Sequence, residues 1–130
     1  MGLTYLSIAL GSALGGMTRY WFTGLATRLI SESFPWGTLL VNVSGSLVIG
    51  ILAALVPEDG RLLFVPDARA FFMIGLCGGY TTFSSFSLET LNLARNGEWL
   101  AAATYVGASV LACLLAVAVG YFATSALRAG

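Results

Sequence analysis

The sequence predicts an all-α integral membrane protein of four transmembrane helices, the third broken mid-membrane. Three observations carry this expectation. Apolar residues make up 58% of the chain and charged ones 9%, with a mean hydropathy of +0.88, whereas a soluble domain carries about 25% charge. Four apolar stretches, residues 3–25, 34–56, 70–91 and 99–127, each reach the roughly 20 residues that a bilayer crossing needs. The third holds Gly75, Gly78 and Gly79, followed closely by the hydroxyls of Thr81, Thr82, Ser84, Ser85 and Ser87. Glycine weakens a helix, and hydroxyls take over backbone groups that a break sets free. In hydrocarbon an irregular backbone survives only when buried in protein or lining a polar cavity, so the stretch marks a site. A kinked helix packed through small residues is the plainer alternative.

Little chain remains outside the spans, so residues 1–130 form one transmembrane domain with the lipid bilayer as its surroundings and no soluble catalytic module. The net charge of zero removes the basic stripe that nucleic-acid binding requires. The N-terminal apolar run has no basic residues ahead of it and is too long for a signal-peptide core. Histidine is absent. There is no cysteine cluster, no carboxylate pair and no glycine-rich phosphate loop with lysine, so an enzyme is the weakest reading. Cys77 and Cys113 lie inside spans, where they suit packing better than a disulfide.

In the first span, Gly11 and Gly15 form a small-xxx-small face for close helix approach. Arg19 follows among Tyr20, Trp21 and Phe22. A cation at that depth either snorkels beside an aromatic belt or stands at the mouth of an aqueous vestibule. The second span opens at Phe34, Pro35 and Trp36 and contains Asn42. Its amide serves either an interhelical hydrogen bond or a pore, with the former favoured on the residue alone. A polar turn at residues 57–61 precedes the third span, whose N-terminus near Asp67 suits the helix dipole.

Helix resumes at Phe83 and runs through Arg95, ended by Asn96 and Gly97. Phe83, Phe86 and Glu89 recur every three residues on one face. In the fourth span, Ala108, Ala112, Ala116 and Gly120 form a close-packing seam, beside a stripe of Tyr105, Ser109 and Cys113. That stripe either bonds to neighbouring helices or forms a hydrogen-bonded track. Arg61, Arg69 and Arg128 lie on one side of the membrane, against Arg28 and Arg95 on the other, and there is no lysine. So weak a positive-inside bias allows insertion in both orientations and assembly as an antiparallel dual-topology homodimer.

Residues 75–89, with Gly15 to Arg19 and Pro35 to Asn42, resemble the signature of the prokaryotic fluoride channel family (Fluc/CrcB-like) in matching order along the chain. The resemblance implies a passive channel that exports fluoride across the prokaryotic inner membrane, built as an antiparallel homodimer. It also implies a structural sodium ion held by backbone carbonyls of Gly78 and Thr81, and not transported. It assigns Asn42, Phe83 and Phe86 to the pore, Thr38, Tyr105, Ser109 and Cys113 to a polar track, and Glu89 to the track's end. Two positions depart from it: serine is commoner than Cys113, and leucine is expected where Tyr80 stands. A small four-helix dual-topology exporter of drugs or cations is the runner-up, although spans one and two lack the deep carboxylate that proton coupling needs. A structural membrane assembly subunit also remains open.

Overall fold

The computed structural model describes residues 1–56 and 66–130; the polar turn expected at 57–61, with Arg61, lies outside them. All regular structure among the described residues is helical. Helix α1 (Gly2–Leu29) leads to α2 (Trp36–Leu55), with Pro35 just before the first turn of α2. A third helical run starts as α3 (Pro66–Arg69), widens into a π-helix (Ala70–Cys77) and ends in the short turn α4 (Gly78–Tyr80). Thr81 (φ −81°, ψ 159°) and Thr82 (φ −153°, ψ 118°) are extended. Helix α5 (Phe83–Arg95) follows, then α6 (Trp99–Ala129).

The start and stop of α5 have local causes. Thr82 is its N-cap, with Oγ1 accepting from the Ser85 N–H at 3.1 Å, which satisfies one of the amides a helix start leaves unpaired. At the other end Asn96 closes the helix and Gly97 takes φ +81°, a left-handed conformation that glycine adopts at little cost. No residue pattern announces the π-helix. Such wider winding is uncommon and tends to occur at functional sites.

Small residues set the packing. Helix α1 lies against the π-helix and α4 through Gly11 and Gly15 on one side and Gly75 and Gly79 on the other. A Cβ at Gly75 would come within 2.8 Å of the Ile8 carbonyl oxygen, and one at Gly79 within 2.6 Å of the Ser12 carbonyl oxygen. Cβ atoms at Gly11 and Gly15 would strike the carbonyls of Phe71 and Leu76. The two backbones therefore touch directly, as small-xxx-small seams in membranes do. Helices α2 and α6 meet in the same way, Gly50 against the Val117 carbonyl and Gly120 against the Leu47 carbonyl.

Between α2, α5 and α6 a buried cluster forms from Leu39, Phe86, Leu93, Ala102 and Tyr105. The rim is tied by polar groups: Thr4 Oγ1 donates to Asp67 Oδ1 at 2.6 Å, and Arg128 donates to the Ala54 carbonyl. Helices α2 and α6 are long and apolar enough to cross a membrane. Many large apolar side chains point outward, Leu111 and Leu115 of α6 among them, as suits a protein whose surroundings are lipid.

Candidate functional site

The site is built around the backbone of Thr82. In a continuous helix its N–H would donate to the Gly78 carbonyl. Here it donates to Asn42 Oδ1 at 2.8 Å, while Asn42 Nδ2 donates to the Thr82 carbonyl at 3.0 Å. One side-chain amide thus supplies the acceptor that the Thr82 N–H lacks and adds a donor to its carbonyl, and the carbonyl of Gly78 is left without the Thr82 amide. Of the two readings open for Asn42, the interhelical bond is realised. Because Nδ2 carries two hydrogens, one remains beyond this bond, and Asn42 lines a cavity as well.

A second tether lies two residues further along α2. Ser44 Oγ donates to the Val41 carbonyl at 3.1 Å, so the Tyr80 hydroxyl, 2.9 Å from Ser44 Oγ, is the donor to it. Gly45 leaves room for the Thr81 methyl and the Tyr80 ring to lie directly on α2. Thr81 turns inward along its own chain, its N–H and its hydroxyl both donating to the Cys77 carbonyl, at 3.0 and 2.9 Å. Helix α2 therefore grips the extended pair at both ends, through Tyr80 just before it and through Thr82, its second residue.

Two cavities flank Thr82, which lines both. The first, about 320 Å³, brings together Asn42, Gly78, Thr81, Phe83, Phe86, Ser109 and Cys113. Phe83 and Phe86 stack at 5.4 Å between ring centroids with planes tilted by 52°. Their shared face does not give them a shared environment: Phe83 is 78% exposed and Phe86 only 8%, because Phe86 packs on Tyr105 at 5.1 Å. Ser109 is buried, and its Oγ has no hydrogen-bond partner among the described residues. A buried unpaired hydroxyl costs free energy, so it marks a place where a ligand or water would be accepted.

The second cavity, about 470 Å³, is lined by Arg19, Thr38, Ser85 and Glu89. Glu89 Oε1 accepts from Thr38 Oγ1 at 2.7 Å, and Oε2 accepts from the Tyr105 hydroxyl at 2.6 Å. Both carboxylate oxygens are thereby engaged by neutral donors at charge-assisted distances. The Nε of Arg19 is buried with no hydrogen-bond partner among the described residues. Arg19 thus lines this cavity.

Ten of the eleven sequence-predicted site residues line one or other cavity. Tyr105 lines neither, being wholly buried beneath Glu89 and the rings of Phe34 and Phe86. The stripe of Tyr105, Ser109 and Cys113 is accordingly a buried anchor followed by two cavity-lining groups. Sequence reasoning missed Tyr80 and Ser44 as a pair. Their only signal was a hydroxyl in each of two apolar stretches, with nothing to match one to the other.

The chain matches the family described as CrcB-like protein, Camphor Resistance (CrcB), over residues 6–121. It is 52% identical over 128 residues to the fluoride-specific ion channel FluC of Rhodospirillum rubrum, a match covering 98% of this chain and 99% of that protein. The FluC of Paramagnetospirillum magneticum is 51% identical over 126 residues, covering 97% of this chain and 98% of its own. That of Methylocella silvestris is also 51% identical over 126 residues, covering 97% and 96%.

Proposed function

We infer that this chain, which belongs to the CrcB-like family, is a passive fluoride-selective ion channel. The observation that carries the reading beyond family membership is the clamp on Thr82. It opens the backbone beside a cavity whose lining includes hydrogen-bond donors and two phenylalanine rings. Fluoride is small and strongly hydrated, so a conducting path must offer donors at close range to replace lost water. The second Nδ2 hydrogen of Asn42, the unpaired Ser109 hydroxyl and the Cys113 thiol are such donors. The rings of Phe83 and Phe86 add edges of positive potential.

In this reading Arg19 draws the anion into the larger cavity. Thr38 and Tyr105 hold the Glu89 carboxylate by both oxygens, offsetting its repulsion of the anion at the end of the path. The anion then passes Thr82 and sheds water among the phenylalanines. A narrow path without a ring of lysine or arginine disfavours the larger chloride. The α1 and α2 sequences contain no carboxylate for proton exchange, so a coupled exporter is the poorer reading.

The assembly follows from the same features. The balanced arginines and the exposed Phe83 support an antiparallel dual-topology homodimer, with the extended pairs of two subunits facing each other at mid-membrane. Gly78 is exposed and its carbonyl lacks the Thr82 amide. Carbonyls of Gly78 and Thr81 from both copies would then suit a hard cation, a structural sodium ion that neutralises and fixes the meeting point of the two backbones. The location is the prokaryotic inner membrane, where the channel lets fluoride leave the cytoplasm.

The test has two arms. Expression in a fluoride-sensitive strain lacking its own exporter should restore growth. Purified protein in liposomes should release fluoride and hold back chloride; equal flux of the two anions overturns the selectivity. A reporter at the C-terminus that reads a single orientation overturns the antiparallel dimer.

A further inference from the structure

We propose that Cys77 and Cys113, supported by the thioether of Met73, form a binding site for one soft divalent cation of the class of Hg²⁺, and that its occupation closes the smaller cavity to anions. The second half rests on the reading of that cavity as part of the fluoride path.

Both cysteines of the chain are free and both line this one cavity, although they stand on different elements, the end of the π-helix and the middle of α6. Met73, four residues before Cys77 on the same widened helix, lines it too. Three sulfur-bearing residues therefore line a space of about 320 Å³ in which, among the described residues, no carboxylate, lysine or arginine takes part. The Oγ of Ser109, four residues before Cys113, is buried, unpartnered among the described residues and lines the same space. Hard cations find no charged oxygen ligand here, whereas thiolate and thioether select soft ones.

Charge balance narrows the class further. Two thiolates with a divalent cation make a neutral unit, which suits a cavity without counter-charges, while a monovalent cation leaves a net negative charge buried. Zinc, which takes four tetrahedral ligands from thiolate, imidazole or carboxylate, is short of two strong donors. Binding is a proton exchange without electron transfer. Two S–H bonds break, two S–Hg bonds form, and two protons pass to water.

The experiment uses the full-length protein and mercuric nitrate in chloride-free buffer. One arm counts mercury bound per chain after desalting and follows the sulfur-to-mercury charge-transfer absorption. The other measures fluoride efflux from liposomes, each variant compared with its own mercury-free rate. Wild type should bind one mercury per chain and lose its flux, with recovery on adding dithiothreitol. Cys77→Ala or Cys113→Ala should raise the half-blocking concentration about 10²-fold, because the second bond is no longer intramolecular. Cys77→Ser and Cys113→Ser repeat the comparison if an alanine variant fails to assemble. Two mercury ions per chain, equal sensitivity of the single variants and wild type, or block of the variant lacking both thiols overturns the shared site. One mercury per chain with undiminished flux keeps the site and overturns the cavity as the fluoride path. Absence of mercury binding beside fluoride-selective flux overturns the site and leaves the channel reading intact.

Discussion

The two cavities on either side of Thr82 solve opposite problems. In the larger one Glu89 accepts from Thr38 and Tyr105, and the Arg19 Nε has no hydrogen-bond partner among the described residues. In the smaller one no described lining residue carries a formal charge, and the lining includes two rings, two thiols, the Asn42 amide and an unpaired hydroxyl. A paired polar network is rigid and presents a fixed field. A nearly apolar wall with a few unspent donors instead selects whatever can replace water through them. The first arrangement collects an anion and the second strips it. Thr82, held by Asn42, is the joint between them.

The largest effect should come from damaging that joint. In Asn42→Asp a second carboxylate oxygen meets the Thr82 carbonyl where Nδ2 now donates, and a negative charge enters the smaller cavity. Two like charges about 5 Å apart repel by about 3 kcal/mol at an effective dielectric constant near 20, which is ~10² in rate. Fluoride efflux from liposomes should fall by that order while size-exclusion chromatography still finds the assembled protein. Efflux within twofold of wild type would show that the two cavities are not joined at Asn42.

The phenylalanines test the smaller cavity by itself. Phe83→Ile and Phe86→Ile each remove a ring edge, worth about 0.5–1.5 kcal/mol, so each should slow fluoride by up to about tenfold. Only Phe86 is buried against Tyr105. Its replacement should therefore also lower thermal stability, by roughly 1–3 kcal/mol, and by more than Phe83→Ile, whose ring is exposed on the single chain. If Phe83→Ile keeps full flux, the exposed ring does not meet the ion.

How much of this was legible beforehand depends on the range of the interaction. The apolar runs, the glycine seam of Gly11 and Gly15, and the resumption of helix at Phe83 are local patterns, and a residue's neighbours in sequence decide them. The partners of Asn42 and Glu89 are not. Thr82 is 40 residues from Asn42, and Thr38 is 51 from Glu89, so only tertiary packing selects them. The π-helix was illegible for another reason. It differs from an α-helix by the spacing of backbone bonds, which the side chains of residues 70–77 do not encode. The depth of Tyr105 was hidden likewise: its position on a polar stripe suggested lining, and the cluster of Leu39, Phe86 and Leu93 buried it.

The larger cavity is tested through that buried tyrosine. Tyr105→Phe leaves the packing on Phe86 in place and removes the 2.6 Å hydrogen bond to Glu89 Oε2. Hydrogen bonds to charged groups are worth about 1.5–3 kcal/mol, and solvent in the cavity recovers part of that for the carboxylate. Flux should fall about three- to fivefold, through a Glu89 charge less well offset. Glu89→Gln in the same background should return part of the loss, since the uncompensated charge is then absent. If the double variant is no faster than Tyr105→Phe alone, the charge of Glu89 is not what the hydroxyl controls.

The smallest effect should come from the outer tether. Tyr80→Phe keeps the ring lying on Gly45 and deletes the hydroxyl that donates to Ser44 Oγ at 2.9 Å. Ser44 keeps its own bond to the Val41 carbonyl, so no buried donor is orphaned. A side-chain hydrogen bond between membrane helices averages about 0.6 kcal/mol, equivalent to a change of about threefold. Flux should drop by no more than that. Ser44→Ala should give a similar loss, and the pair together should lose little more than either alone, since both variants remove one bond. A full sum of the two losses would mean that Tyr80 and Ser44 act separately. A loss as deep as that of Asn42→Asp would mean that the extended pair hangs chiefly from Tyr80, and the joint between the cavities would have to be moved two residues back along the chain.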